Sequence, residues 1–229
     1  MVELHNPVVV DLPLRGEWTV ERTPADRLPS HGTDALGMRY AYDFIRTDDR
    51  NGTRVHPAGR LRWLLIGGRT RDCYGWGEPI HAVLSGDVVH AVDGEPERRW
   101  LHPVREAWCA LRTARSFSTM AAVDARRIAG NHVIIRSDQV FALYAHLSSG
   151  SVAVRPGQRV SAGDVIGRVG HSGNSTAPHL HFQLMDSADV QRARGIPCAF
   201  SRYLVRRGGS LEHVHGGIPN RRERLRVTP

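Results

Sequence analysis

Two histidines stand two residues apart in Pro178-His179-Leu180-His181-Phe182. Side chains alternate across a strand, so on a strand both imidazoles point to one face. Such a pair can hold a metal, or can serve as one ligand and one acid/base group. In isolation the pattern is weak, and its weight comes from three other positions. His146 closes the run Val140-Phe141-Ala142-Leu143-Tyr144-Ala145-His146-Leu147. Asp43 lies in Ala41-Tyr42-Asp43-Phe44-Ile45, where alternation sets it with Ala41 and Ile45 and opposite Tyr42 and Phe44. A carboxylate on that face needs a metal, an arginine or a backbone cap. His31 lies in a stretch rich in Pro, Ser and Gly, residues 27–34, which reads as a loop.

The elements around these residues are short and bounded by glycine and proline. Residues 8–20 read as one or two short strands, 38–45 as a strand, and 80–83 with 86–92 as a strand pair. Residues 131–136 and 140–147 read as a hairpin turning at Ser137-Asp138-Gln139. Short segments follow over 150–170, and 179–185 is read as the final strand. Close spacing of short strands and turns predicts an all-β-dominated, antiparallel architecture. Residues 95–129 differ, being rich in Arg, Ala, Trp and Leu and poor in glycine. They read as a partly helical or mobile insertion on the surface, outside the chemical core, either packed at one end of a groove where it limits or covers access, or a disordered loop. The predicted division is 1–26 as N-terminal short strands, 27–205 as the main unit with the insertion at about 95–129, and 206–229 as a basic, solvated tail.

The chain has 229 residues, enough to bury a full core. Its formal charge is +8, and all 31 basic residues are arginine. A basic surface favours contact with anionic polymers. The central strands lack the basic–aromatic interleaving of a nucleic-acid-binding barrel, so no specific nucleic-acid partner is expected. Cys73, Cys109 and Cys198 are far apart with no C-x-x-C spacing, which excludes a cysteine zinc knuckle and predicts scattered buried thiols. The opening residues lack the pattern of a signal peptide, and no apolar run reaches membrane-spanning length.

The order of parts resembles the lysostaphin-type zinc metalloendopeptidases, the LytM or M23 peptidase family. The resemblance rests on His31-Gly32-Thr33, Tyr40-Ala41-Tyr42-Asp43-Phe44, Gly130-Asn131-His132-Val133-Ile134-Ile135 and Tyr144-Ala145-His146-Leu147. It continues through residues 154–170 and Ser172-Gly173-Asn174-Ser175-Thr176-Ala177-Pro178-His179-Leu180-His181-Phe182. It implies a compact antiparallel β-sheet groove and one Zn2+ per chain held by His31, Asp43 and His181, with His146 and His179 as the acid/base and oxyanion-stabilising pair. It implies hydrolysis of peptide bonds in peptidoglycan cross-links or other glycine-rich, small-residue peptides. The alternative is a non-catalytic zinc-binding or peptidoglycan-binding relative. A cell-wall or extracellular location follows from the resemblance; without a visible signal peptide, a cytoplasmic one stays open. The family's common first motif places Asp four residues after His, and here that position is Ala35. A longer-loop variant, with His-Gly-Thr well ahead of Tyr-Ala-x-Asp-Phe, also resembles the family, so Asp43 is chosen, with Asp34 as runner-up. A second His-x-His, His213-Val214-His215, reads as surface loop.

Overall fold

The computed structural model describes residues 5–48, 53–116, 125–207 and 210–227. In chain order the strands are β1 (Val8–Val10), β2 (Gly16–Arg22), β3 (Tyr42–Ile45), β4 (Gly68–Arg69), β5 (Pro79–His81), β6 (Gly86–Val92), β7 (Trp100–Leu101) and β8 (Asn131–Ser137). They continue as β9 (Val140–Leu147), β10 (Arg159–Val160), β11 (Val165–Arg168), β12 (His179–Met185), β13 (Gly195–Ile196), β14 (Cys198–Arg207), β15 (Ser210–Gly217) and β16 (Arg224–Val227). Three helices are described: α1 (Arg60–Leu65), α2 (Pro103–Ser116) and α3 (Ala125–Ala129).

One large sheet dominates, in the order β1-β14-β16-β2-β3-β12-β9-β8-β6-β10, with β15 on β14 and β13 on β12. Every pairing in it is antiparallel except β1 with β14. The all-β antiparallel expectation is met. β12 sits near the middle, between β3 and β9, with His181 opposite Asp43 on one side and Ala145 on the other.

Alternation divides β12 into two faces. Leu180, Phe182 and Leu184 enter the main core beside Tyr42, Phe44, Tyr144 and Phe200. Phe182 lies 5.4 Å from Tyr144 and 6.1 Å from Phe200, ring centre to ring centre. Each such buried side chain contributes roughly 1.5–3 kcal/mol relative to exposure. The opposite face carries His179, His181 and Gln183, so the apolar face anchors the strand while the polar face does chemistry.

Four expectations need correction. The runs 80–83 and 86–92 do not pair with each other: β5 pairs with β11, and β6 with β8 and β10. Residues 179–185 are not the final strand. The segment 206–229, expected as a solvated tail, supplies β15, β16 and the end of β14. Its arginines line half-exposed strands whose pairing is made by the backbone, and Leu225 is buried. The single sheet therefore takes strands from all three segments of the predicted division. His213 and His215 lie on β15, exposed as expected but on a strand rather than in a loop.

The insertion, within which 117–124 lie outside the described residues, is helical on both sides of that gap. Its first part is not remote from the chemistry. Glu95 exchanges hydrogen bonds with the Asn131 side chain, and the Glu97 carboxylate accepts from Ser148 Oγ at 3.0 Å and from His171 N at 2.6 Å. Glu106 of α2 is buried.

No disulfide joins the three cysteines. Burial pushes the Cys73 and Cys198 thiols up to about 12, while Cys109 is only half-buried. The thiolate is the reactive species. Iodoacetamide at pH 8 should therefore alkylate Cys109 alone in the native protein, and all three in guanidinium chloride. Rapid labelling of Cys198 before unfolding would contradict this packing, and peptide mass mapping reads the outcome.

Candidate metal and acid/base site

The five candidate residues converge in one cleft of about 410 Å³. β3 supplies Asp43, β12 supplies His179 and His181, the end of β9 supplies His146, and the loop before the 3-10 turn Ala35–Tyr40 supplies His31. Their neighbours in the wall include Arg22, Ile128 and Ala129.

Alternation explains His179, His181 and Asp43 but not His146. Leu143 and Ala145 point to the site side, so His146 would by alternation point into the core with Tyr144. Its backbone is left-handed, with φ 65°. The β8–β9 register slips here, since Asn131 faces Leu147 and Val133 faces Tyr144. This bulge lets His146 follow Ala145 to the site side and returns Leu147 to the core. A left-handed non-glycine residue costs free energy that surrounding packing must offset, and such residues cluster at working sites.

Donor atoms of His31, Asp43 and His181 all lie within 4.8 Å of one another. His31 Nε2 is 3.0 Å from Asp43 Oδ2, and His181 Nδ1 is 3.0 Å from Asp43 Oδ1. The partners on the far side of each ring decide what these contacts are. Ser30 Oγ donates to the Met38 carbonyl at 3.1 Å, so it accepts from His31 Nδ1 at 3.0 Å. Gln183 Nε2 donates to the Leu36 carbonyl at 2.7 Å, so its Oε1 accepts from His181 Nε2 at 2.9 Å. In the neutral rings, both nitrogens facing Asp43 then carry lone pairs. Three acceptors face one another, and a cation among them resolves the conflict. Two neutral imidazoles and a carboxylate form a donor set that zinc accepts.

Burial alone would raise the Asp43 carboxyl, but the surrounding imidazoles of His31, His179 and His181 outweigh it and hold the group well below the usual carboxylate range. Burial lowers His31, against the attraction of Asp43. Arg22 adds positive charge at the rim, its Nε 3.6 Å from Asp43 Oδ2.

The other two histidines share a different device. His146 Nδ1 donates to the Ser172 carbonyl at 3.0 Å, and His179 Nδ1 donates to the Ala177 carbonyl at 2.7 Å. Each Nδ1 is thereby protonated, and each Nε2 is left for work; that of His179 lies 3.6 Å from Asp43 Oδ1. The two rings are 4.7 Å apart, centre to centre. Burial, with the neighbouring His179 and His181, keeps His146 well below the ordinary imidazole value. For His179 burial acts downward too, but Asp43 and the Ala177 carbonyl outweigh it and the net shift is upward.

Asp34, the runner-up ligand, is exposed and pairs with Arg39 at 2.8 Å, outside the cluster. His132 and His171 are both buried, and among the cleft-lining residues neither occurs. Sequence reasoning did not name Ser30, Gln183 or Arg22. Gln183 was within reach, since it follows His181 by two residues on the same strand face.

Residues 114–193 match the model of Peptidase family M23, a span that holds His146, His179 and His181 but not His31 or Asp43. Lysostaphin of Staphylococcus staphylolyticus is 50% identical over 147 residues, covering 61% of this chain and 26% of lysostaphin. Peptidoglycan DD-endopeptidase ShyA of Vibrio cholerae is 43% identical over 58 residues, covering 25% of this chain and 13% of that protein. Among solved structures, the catalytic domain of lysostaphin from Staphylococcus simulans aligns at 24% identity and a TM-score of 0.38, over 69% of this chain and 76% of that one. The chain thus spans about a quarter or less of the length of these curated relatives. By sequence, the chain is thus similar to Peptidase family M23 over residues 114–193 and to lysostaphin.

Proposed function

We propose that this protein is a zinc-dependent endopeptidase that hydrolyses peptide bonds in peptidoglycan cross-links or in similarly glycine-rich, small-residue peptides. The observation that carries the reading is the set of lone pairs from His31 Nε2 and His181 Nδ1 facing the Asp43 carboxylate, beside two further histidines whose Nε2 atoms are left for proton transfer. His31, Asp43 and His181 would hold one Zn2+. A zinc ion at such a site supplies an acidified water and a polarised scissile carbonyl. His146 and His179 supply the proton traffic. One accepts the proton of the attacking water at Nε2, and the other, protonated at Nε2, donates to the developing oxyanion or the leaving amine. The Ser172 and Ala177 carbonyls keep both rings in the required tautomer.

The substrate class is supported by the name of the peptidoglycan DD-endopeptidase, and with such a substrate the protein would work at the cell wall. The basic surface suits contact with anionic wall polymers.

Purified protein should contain about one zinc per chain, as expected of a site with three protein ligands and one open position. It should release new amino termini from purified peptidoglycan, and a chelator should stop the release until zinc is restored. Stoichiometric zinc with no cleavage of peptidoglycan or of glycine-rich peptides would favour the non-catalytic alternative.

A further inference from the structure

Two cationic side chains line the cleft without being needed to hold the three-donor cluster. Arg22 ends β2, and by alternation with the buried Trp18 and Val20 it would point into the core. The β2–β3 register shifts between Val20 and Arg22, so that Val20 faces Phe44 while Arg22 faces Asp43. This bulge turns Arg22 to the site side, as the β8–β9 bulge turns His146. Arg22 is not there to satisfy Asp43, whose two oxygens already have His31 and His181 at 3.0 Å. Its Nε stands 3.6 Å from Asp43 Oδ2, beyond hydrogen-bond distance, and its side chain stays 47% exposed.

Arg27 comes from the loop that carries His31. Its Nε donates to the Ser30 carbonyl at 3.3 Å, and its Nη2 lies 3.6 Å from where a Cβ on Gly32 would stand. That one bond fixes the guanidinium beside the loop, and among the described residues its Nη groups have no hydrogen-bond partner. Both arginines lie on the same flank of the cluster, since Arg22 approaches the Asp43 oxygen that His31 contacts. Asp43 is the only carboxylate among the lining residues. With neutral imidazoles the two arginines outnumber it, and a cation in the site would add to the excess. Much of the remaining wall is apolar, with Leu36, Met38, Ile128 and Val190.

We propose that Arg22 and Arg27 are specificity-determining residues that receive a carboxylate carried by the substrate peptide close to the scissile bond. The proposal rests on the peptidase reading above and narrows its substrate. A cross-link peptide whose residues bear free carboxyl groups is favoured over a bridge of glycine alone, which bears none. The anionic group that a peptide brings is a carboxylate, and a guanidinium matches it with two parallel N–H groups. A cleft of one sign of charge between apolar walls concentrates ligands of the opposite sign. A neutral glycine peptide would leave both arginines without a counterion.

Cross-linked muropeptides with free carboxyl groups, and the same muropeptides converted to carboxamides, separate charge from shape. The zinc-loaded protein should cleave the free-carboxyl form with a kcat/KM about tenfold or more above that for the carboxamide form. Arg22→Gln and Arg27→Gln should each lower kcat/KM on the free-carboxyl form by about tenfold, mainly through KM, and stay within about twofold of the parent on the carboxamide form. Zinc content should not change in either variant. Calorimetry on the metal-free protein should show the same preference in binding, independently of any cleavage. Equal affinity of the metal-free protein for the two forms would overturn the proposal and leave the peptidase reading intact. A loss in the arginine variants that is as large on the carboxamide form would overturn it too. Preferential binding of the free-carboxyl form, with no cleavage of any peptide by the zinc-loaded protein, would sink the peptidase reading and leave the carboxylate site standing.

Discussion

Replacing His146 or His179 with alanine should lower kcat by a factor on the order of a hundred to ten thousand, while each variant still carries one zinc. The separation of effects follows from geometry. Neither residue belongs to the three-donor cluster, and each has its Nδ1 committed to a backbone carbonyl with Nε2 left over. His146 already pays the left-handed backbone cost that any residue with a Cβ carries, so its replacement by alanine adds little to it, and His179 lies within regular strand. Kinetics on a peptide the parent cleaves, with metal analysis of the same samples, decides the matter. Near-parental turnover by either variant would remove that histidine from the mechanism.

Asp43→Ala should reduce bound zinc from one per chain to near zero, and His181→Ala should do the same. Asp43 is the centre of the cluster, with His31 on one carboxylate oxygen and His181 on the other. Its loss removes the negative charge that makes the site attractive to a cation. A ligand that binds only the folded state at a hundred times its Kd stabilises by about 2.7 kcal/mol. Zinc addition should therefore raise the Tm of the parent by several degrees and leave that of Asp43→Ala unmoved. Full zinc retention by Asp43→Ala would refute the ligand assignment. Asp34→Ala is the matched control and should keep both zinc and the Tm response, since Asp34 pairs only with Arg39 in the described structure.

The face shared by His179 and His181 was legible because strand alternation is fixed by backbone geometry alone. The placement of Asp43 on the site face was legible for the same reason: a carboxylate opposite Tyr42 and Phe44 must face away from the core. The aim of His146 was not legible from alternation, which pointed it inward; only a bulge reverses that, and no glycine announces the left-handed residue. Arg22 carried no such signal either, since alternation sets it with Trp18 and Val20, and only the shift in the β2–β3 register turns it to the site. The strands after Cys198 were obscured by composition. Arginine and glycine over residues 206–226 resemble a solvated tail, while the pairing that builds β14, β15 and β16 is made by backbone groups that composition does not reveal.

The place of β16 in the sheet bears on the order in which the protein can be assembled during synthesis. β16 lies between β14 and β2, with Leu225 opposite Trp18 and Val205 opposite Leu225 on its other side. Residues 224–227 are the last described strand to leave the ribosome, yet they join the outer strands β1, β14 and β15 to the rest of the sheet. The strands that carry the site, β3, β9 and β12, are joined by their own pairings, while Tyr42, Phe44 and Phe182 on their core face pack on Phe200 of β14. Until β14 arrives, the site strands are paired but the core behind them is open. A cation captured at that stage would stabilise the half-built sheet onto which the late strand must close.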